Sequence, residues 1–408
     1  MKKLTLIVTV IALVAVLYAR ITFVPEENND VNDYDLVLTD EVKEYDSNRD
    51  LDFLKIEKSN ENIVYSPLSI KNAVYLLEYG AVGDTYTQIS DVFGNVHPAK
   101  YENIPDVMSL PNAVFIRDTF SVNQKYADLI QEDIGAEIIQ DSFESTETLD
   151  NWVAEKTFNL IPDSGIKSLD SSNMVLSNAL AIQMEWNGAL SDYTMDFVDF
   201  EGNEYRIEAI RGTTTREYLK YYIGEDVTVV SLELKEYEGT QLEYVVIMPG
   251  TEDLNDFIDR ISMDDINGYL NQRLPSSYHA DGVRLTMPKF KYDASLNLIE
   301  DFKTLGITDV FDEYKANLTN IYKSDAGNLY VSDIIHKSTI ETSEDGIKAA
   351  AITEAVLEWL YYDGGPSREP EPLIIDIDHP FMYIVRDKET GENWFVGVVY
   401  RLDPISNN

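Results

Sequence analysis

The most informative stretch of this chain is Glu344–Thr353, which reads EDGIKAAAIT. From Ile347 to Glu358, one alternating face is apolar or small apart from Thr353, and the other face carries every charge. Alternation with a period of two is typical of a strand that has one buried face and one solvated face. However, Gly and Ala are depleted in stable strands, and Ala, Glu, Leu and Lys favour helices. The pattern therefore indicates a loop that can later become a strand.

The composition is strongly acidic, with 73 Asp and Glu against 32 Lys and Arg and a formal net charge of −41 over 408 residues. A surface of that charge argues against binding nucleic acid, heparin-like polymers or anionic lipid. We therefore expect neither nucleic acid nor a glycosaminoglycan among the partners. Solubility in an exposed compartment is the simpler explanation of the charge.

The sequence offers few groups for metal binding or catalysis. It contains no Cys and only four His, and no two His stand at metal-ligand spacing. Disulfides, thiol chemistry and cysteine-type zinc sites are therefore excluded, and we expect no metal and no cofactor. A Gly-x-Ser-x-Gly elbow, a P-loop and a dinucleotide-binding fingerprint are also missing from the sequence. These observations argue against an enzyme and predict no catalytic residues.

The N-terminus resembles an export segment. Lys2 and Lys3 precede the apolar run Leu4–Ala19, which is longer than a minimal signal core but shorter than the ~20 residues of a spanning helix. Residues 1–23 are therefore interpreted as a signal peptide or a membrane anchor. Either interpretation places the chain outside the cytoplasm, secreted or tethered to the cell surface. Residues 24–36 are predicted to form an acidic linker.

The remaining residues, 37–408, are predicted to form a single α+β domain, because no Pro- and Gly-rich linker divides them. Periodicity predicts helices at Ile70–Tyr79, Gln124–Ile134, Glu147–Leu160 and Ala294–Leu305. It predicts strands at Asn112–Ile116, Thr228–Leu234, Tyr244–Met248, Val283–Met287, Leu373–Ile377 and Phe381–Arg386. The Gly and Pro of Tyr361–Pro372 predict an exposed loop.

Several short motifs, in order along the chain, resemble those of the serpin family. They are NIVYSPLSI at 62–70, GAVGDT at 80–85, SNAL at 177–180 with Trp186, PKF at 288–290, LGI at 305–307, HK at 336–337, HPF at 379–381 and FVGVV at 395–399. Each motif alone is compatible with ordinary core packing, whereas their order and spacing together are specific. The chain therefore resembles a serine protease inhibitor, of a secreted bacterial type.

The resemblance implies an α+β serpin fold with a large central, mostly antiparallel β-sheet, further sheets, surrounding helices and an exposed reactive-centre loop at about 344–372. It also implies a suicide-substrate mechanism. A target serine protease cuts the loop and forms a covalent acyl-enzyme, and the freed segment then inserts into the central sheet as a new strand. The partner would be that protease in a covalent complex, and the inhibitor is expected to be a monomer.

The residues expected to permit insertion lie at the start of this loop. Gly346 would supply a conformationally free hinge, and Ala349–Ala351 are small enough to thread between strands. An unpaired charge on the inward face would oppose insertion strongly, and that face carries none. The full hinge set is Glu344, Gly346, Ile347, Ala349, Ala350, Ala351 and Thr353.

The family's spacing, counted from Gly346, places the cleaved bond at Leu360–Tyr361, in an exposed aromatic stretch of the kind used for recognition. A large apolar residue before the cut predicts chymotrypsin-, elastase- or subtilisin-like target proteases. The loop is longer than is usual for the family, so other bonds stay open. The residue before the cut could instead be Tyr361 or Tyr362, or Arg368, which would select trypsin-like proteases.

The resemblance also implies a hydrogen-bonded cluster beneath the sheet, where its strands must part. The residues that match it are Ser66, Ser69, Asn178 and His336. Two interpretations from other classes remain. The chain could be a non-inhibitory serpin-fold surface or binding protein that is cleaved only as a substrate, or an acidic adhesion module anchored in a membrane through residues 4–19.

Overall fold

The computed structural model describes residues 33–38, 43–214, 219–272, 283–323, 328–348 and 372–405. These residues form eight α-helices: α1 Asp52–Ile56, α2 Pro67–Gly80, α3 Asp84–Phe93, α4 Gln124–Ile134, α5 Glu147–Lys156, α6 Leu254–Arg260, α7 Met263–Asn271 and α8 Leu298–Thr304. Short 3₁₀ helices lie at Ser47–Leu51 and Asp309–Phe311.

Two sheets pack against each other through a shared apolar cluster. The six-stranded sheet has the order β1 (Ile63–Tyr65), β22 (Asn393–Val399), β21 (Phe381–Asp387), β13 (Leu242–Pro249), β12 (Val227–Glu233) and β11 (Leu219–Ile223). The four-stranded sheet has the order β20 (Leu373–Asp376), β14 (Val283–Pro288), β10 (Glu204–Thr214) and β9 (Ser191–Val198). Their apolar side chains share one large buried cluster.

The central sheet consists of an upper and a lower part. The upper part has the order β15 (Phe290–Ser295), β18 (Lys337–Thr342), β19 (Gly346–Lys348) and β8 (Met184–Glu185). The lower part has the order β17 (Asp333–Ile335), β6 (Met174–Asn178), β3 (Asn112–Arg117) and β5 (Glu137–Asp141). Only His336 separates β17 from β18, so one continuous stretch of chain serves both parts.

Most pairs in these sheets are antiparallel. The parallel pairs are β14 with β20, β6 with β17, and β3 with β5. Two ribbons complete the strands, β2 (Met108–Ser109) with β7 (Ala181–Ile182) and β4 (Ser121–Val122) with β16 (Tyr322–Lys323). The predicted α+β architecture, with a large and mostly antiparallel central sheet, is confirmed.

Helix α2 runs through the interior of the molecule. Its N-terminus is defined by Ser66, whose side chain accepts a hydrogen bond from the backbone N–H of Ser69, and by Pro67 in the first turn. Every residue of α2 is buried, which is the pattern of a helix surrounded by protein on all sides. It contacts β6 and β22, and the backbone N–H of Ser66 donates to His336 between β17 and β18, so the N-terminus of α2 lies beneath the central sheet.

The structure corrects two of the predicted helix bounds. The helix predicted to reach Leu160 ends at Lys156, because Phe158 and Asn159 adopt positive φ angles of 55° and 60°. The helix predicted to begin at Ala294 begins at Leu298, because Ala294 pairs with Ser338 in the β15–β18 ladder. Tertiary pairing overrides local helix propensity there.

Candidate functional site

The predicted hinge occupies a position between two strands of the central sheet. In β19, Ile347 pairs with Thr342 of β18 on one side and with Met184 of β8 on the other, and both pairings are antiparallel. The backbone of the hinge is therefore already that of a strand, flanked on both sides. Strands β8 and β6 lie on one side of a line through the central sheet, and strands β18 and β17 lie on the other side. We call this line the seam.

The seam differs along its length. In its upper part, β19 separates β18 from β8. In its lower part, β17 pairs directly with β6, with Ile334 opposite Leu176 and Ile335 opposite Ser177. The seam is thus open where the hinge enters and closed below. A longer inserted strand would have to break the β6–β17 pairing.

Gly346 fits its place because of space rather than a special backbone angle. A Cβ atom there would lie 2.1 Å from the carbonyl oxygen of Met184 and 2.7 Å from the Cα atom of Glu185. Gly346 is not among the described glycines that have a positive φ. In this conformation the close approach of β8 is what requires a glycine, and the conformational freedom of Gly346 as a hinge stays a prediction.

The turn that leads from β18 into β19 is held by hydrogen bonds. The backbone N–H of Ser343 donates to the carbonyl of Gly346 at 3.0 Å, closing the turn. Trp186 holds it from the other side of the seam, because its backbone N–H donates to the carbonyl of Asp345 at 3.0 Å and its indole Nε1 donates to the carbonyl of Ser343 at 2.8 Å. These hydrogen bonds therefore hold the turn between β18 and β19 from both sides of the seam.

An ion pair lies beside this turn. Lys289 Nζ is 2.7 Å from Glu344 Oε2 and 2.9 Å from Asp192 Oδ1. The hydrogen bond from Lys289 is the main reason why the pKa of Glu344 lies below its usual value. Since Lys289 precedes β15 and Asp192 belongs to β9, the pair joins the hinge to the central sheet and to the four-stranded sheet.

Ile347, the first inward residue of the alternating segment, is 2% exposed and belongs to the apolar cluster between the sheets. Its burial agrees with the alternation in the sequence. The rest of the predicted hinge set, Ala349, Ala350, Ala351 and Thr353, lies outside the described residues, as do Leu360 and Tyr361 of the predicted cleavage site.

His336 lies at the level where the seam changes from closed to open. Its Nε2 accepts a hydrogen bond from the backbone N–H of Ser66 at 3.0 Å, and the Ser338 hydroxyl is 3.4 Å from the same nitrogen. Burial lowers the pKa of His336 to about 4, because a charged imidazole is poorly solvated in the interior. The neutral ring therefore links the sheet to the N-terminus of α2.

The structure brings Ser66, Ser69 and His336 together through the cap of α2. Asn178 follows Ser177, which faces Ile335 across the seam. However, its side-chain Nδ2 donates to Oδ1 of Asn112 at 2.6 Å, and its own Oδ1 has no hydrogen-bond partner among the described residues. Asn178 therefore links β6 to β3 on one side of the seam.

Sequence analysis missed several residues of this site. Trp186 and Lys289 were noted only as parts of motifs, and Asn112 and Ser343 were not identified at all. Their partners lie far away in sequence, 157 residues for Trp186 with Ser343 and 66 for Asn112 with Asn178. No local pattern in the sequence indicates these contacts, because each of them joins residues that are far apart along the chain.

The described residues contain neither a metal-binding cluster nor a membrane-spanning helix. Within the described residues, no group of three or more His, Cys, Asp or Glu is placed to hold a metal ion. In the same part of the chain, no helix is long and apolar enough to cross a membrane.

The fold and the hinge define a class of protein in which one loop enters the central sheet beside its own preceding strand. A family model described as "Serpin (serine protease inhibitor)" matches residues 51–402. The chain therefore belongs to the serpin family.

Known proteins agree with that assignment. Glia-derived nexin of Rattus norvegicus is 29% identical over 373 residues, which cover 85% of this chain and 90% of the nexin. The native-state structure of tengpin, a thermophilic serpin, has a TM-score of 0.72 at 24% identity and covers 90% of this chain and 98% of tengpin. Human thyroxine-binding globulin complexed with thyroxine also has a TM-score of 0.72, at 19% identity, and covers 87% and 96% of the two chains. The two structural similarities support the fold alone.

Proposed function

We propose that this protein is a suicide-substrate inhibitor of serine proteases with chymotrypsin-, elastase- or subtilisin-like specificity. The observation that carries the proposal is the position of β19, whose first residues already lie as a strand between β18 and β8. Cleavage of the loop would free the following residues to extend this strand down the seam. The acyl-linked protease would then be carried to the far end of the sheet before the acyl bond is hydrolysed.

The composition of the loop supports insertion. Continuing from buried Ile347, the inward positions are Ala349, Ala351, Thr353, Ala355 and Leu357. All are small or apolar apart from one threonine, while Lys348, Glu354 and Glu358 fall on the outward face. Each new residue adds backbone hydrogen bonds to both neighbouring strands and buries apolar surface, which together favour the inserted state.

We place the cut at Leu360–Tyr361 and the recognition of the protease in the residues around it. Leu360 would occupy the apolar specificity pocket of the protease. Proteases of this kind act in exposed compartments, so the proposal includes export of the chain, secreted or tethered by residues 4–19, and action as a monomer. No glycosaminoglycan cofactor is proposed, because the chain carries a net charge of −41 and no helix lies within residues 94–107.

The direct test mixes the purified protein with chymotrypsin, pancreatic elastase, subtilisin and trypsin, followed by denaturing gels and mass spectrometry. We expect a complex that survives denaturation with one of the first three, and release of a C-terminal fragment that begins at Tyr361. A complex with trypsin alone would move the cut to Arg368. Cleavage by every protease without any complex would refute the proposal.

Two substitutions distinguish recognition of the protease by the loop from trapping of the protease by strand insertion. Leu360→Arg should transfer trapping from the first three proteases to trypsin while the seam is unchanged. Arg368→Ala is the matched control and should leave the wild-type protease preference intact. If Leu360→Arg kept the wild-type preference and Arg368→Ala lost it, the cleaved bond would be the one after Arg368.

A second candidate is a non-inhibitory binding protein of the same fold. Thyroxine-binding globulin, whose structure was determined in complex with thyroxine, shares the fold of this chain. This alternative predicts cleavage of the loop without a covalent complex and without a large gain in thermal stability. The same gels, with melting curves of the cleaved protein, distinguish the two functions.

A further inference from the structure

A short N-terminal segment, residues 33–38, lies at the end of the central sheet opposite the hinge. The segment bonds to two separate parts of the chain, the N-terminus of α4 and the residues 317–323 that lead to β16. These contacts begin inside the segment that the sequence predicts as an acidic linker. We call residues 33–38 the strap.

Two buried asparagines form the site that holds the strap. Asn320 is 1% exposed, and its amide brackets Val37: Oδ1 accepts from the Val37 N–H at 2.9 Å, and Nδ2 donates to the Val37 carbonyl at 3.0 Å. Asn123 is fully buried, and its Nδ2 donates to the carbonyl of Tyr34 at 3.2 Å. Buried amide groups need such partners. The strap backbone supplies them together with the carbonyl of Tyr79, which accepts from Asn320 Nδ2, and the carbonyl of Asn320, which accepts from Asn123 Nδ2.

Side-chain contacts reinforce this binding. The Tyr34 hydroxyl donates to the carbonyl of Thr319 at 2.9 Å, and Lys323 Nζ lies 3.6 Å from the centre of the Tyr34 ring. Lys125 of α4 pairs with Asp35 at 2.8 Å and with Asp33 at 3.2 Å. By contrast, the Val37 side chain is 59% exposed, so its backbone, not its side chain, makes the contact.

The strap joins the two sides of the seam. On one side, β3 leads through β4 into α4, and β3 pairs with β6. On the other side, β16 precedes β17 along the chain. The strap bonds to Asn123 from the first side and to Thr319 and Asn320 from the second side. It lies beside the β4–β16 ribbon, which makes the same connection.

We propose that the strap is a clamp that opposes parting of the lower seam and so restrains insertion of the uncleaved loop. Parting of β6 from β17 moves the two sides of the seam relative to each other. That movement strains or breaks the strap contacts: the buried Oδ1 of Asn320 loses the hydrogen bond from Val37, and the Nδ2 groups of Asn320 and Asn123 each lose one of their two acceptors. Loss of the strap therefore lowers the free energy needed to open the seam.

The test replaces one backbone donor in the full-length chain. Val37→Pro removes the N–H that donates to Asn320, whereas the matched control Val37→Ala keeps it and changes only an exposed side chain. Hydrogen–deuterium exchange at the amides of β6 and β17 measures opening of the seam. We expect roughly tenfold faster exchange in Val37→Pro than in Val37→Ala, because a buried acceptor loses its partner. Equal exchange rates in the two variants would overturn the proposal.

A second pair of variants tests the side-chain contacts. Tyr34→Ala removes both the hydroxyl and the ring, while Tyr34→Phe removes only the hydroxyl. Exchange at β6 and β17 should rise more in Tyr34→Ala than in Tyr34→Phe, and equal rates for both variants and wild type would contradict the clamp. The exchange measurement needs no protease. If the proposed inhibition is wrong, the wild-type protein will form no complex with a protease. That result is independent of the exchange rates that test the strap.

Discussion

The two parts of the seam use the same stretches of chain in two different arrangements. In the upper part, β18 and β8 are separated by β19, and in the lower part β17 and β6 pair directly. The upper part shows what the sheet looks like with a strand of the loop in place, and the lower part shows what it looks like before. The difference between the two parts is the change that the proposed mechanism would carry to completion.

The largest expected effect comes from blocking extension of β19 into the lower seam. Ala351→Arg places a charge on the inward face, where an unpaired charge costs several kcal/mol. Proteases should then cut the variant without being trapped, as seen by loss of the denaturation-resistant complex on gels. Ala350→Arg is the matched control, because Ala350 falls on the outward face and should still permit trapping. Stable complexes with Ala351→Arg would refute strand extension.

His336, at the boundary between the two parts, predicts a pH dependence of stability. Its pKa in the folded protein is about 4, below the ordinary value of about 6.5. The folded state therefore resists protonation, and its stability relative to the unfolded state is full above pH 6.5 and falls as the pH drops towards 4. The loss attributable to this residue reaches roughly 3 kcal/mol. Denaturant titrations at several pH values measure it.

Two variants distinguish the contribution of His336 to the pH dependence of stability from that of the many carboxylates of the chain. His336→Gln keeps a hydrogen-bond acceptor that does not titrate in this range, so its stability should fall less steeply between pH 6.5 and 5 than that of the wild type. His97→Gln replaces an exposed histidine and should follow the wild-type curve. Parallel curves for His336→Gln and wild type would show that the buried ring is not the cause.

Gly346→Ala tests the spacing in the upper part. The added methyl would lie 2.1 Å from the Met184 carbonyl oxygen, so β19 or β8 must shift at a cost of about 1–3 kcal/mol. We expect a lower melting temperature and a smaller fraction of trapped protease. Gly268→Ala is the control, since a Cβ on that helical glycine meets nothing within 4 Å. A Gly346→Ala variant that melted like the control would mean that β19 does not occupy this position.

The smallest effect is expected at the ion pair beside the hinge. Glu344→Gln removes one partner of Lys289, and because both side chains are partly exposed the stability change should be roughly 0.5 kcal/mol. Glu341→Gln, which breaks the pair with the more exposed Lys291, is the control in the adjacent strand β18. Trapping by Glu344→Gln should fall slightly more than trapping by Glu341→Gln, and the reverse order would argue against a role for the pair in holding the hinge.

Local patterns and a series of motifs were enough to predict the fold and part of the site. Alternation along β19 predicts the inward direction of Ile347, and the motif order identifies the family that the comparisons establish. The predicted bounds of α4 agree with the structure, because a regular apolar period lies between an N-cap Asn and Gly135 at the C-terminus of the helix. These features depend on neighbours in sequence, so a single sequence contains them.

The remaining features depend on contacts between distant parts of the chain. The reason for Gly346 is the approach of β8, which no local rule contains. Asn178 bonds to Asn112 rather than across the seam, and residues 33–36 of the strap were assigned to a linker because that stretch is acidic. The strap is ordered by Asn123 and Asn320, which bond to its backbone and lie far from it in sequence.

The central claim is that the lower seam accepts the loop as a strand after cleavage. The most direct measurement compares melting curves and hydrogen exchange of the intact protein with those of the protein cleaved in its loop. The account predicts a large rise in melting temperature, with the β6 and β17 amides more protected and residues 349–357 newly protected. Unchanged melting with unprotected loop residues after cleavage would contradict it.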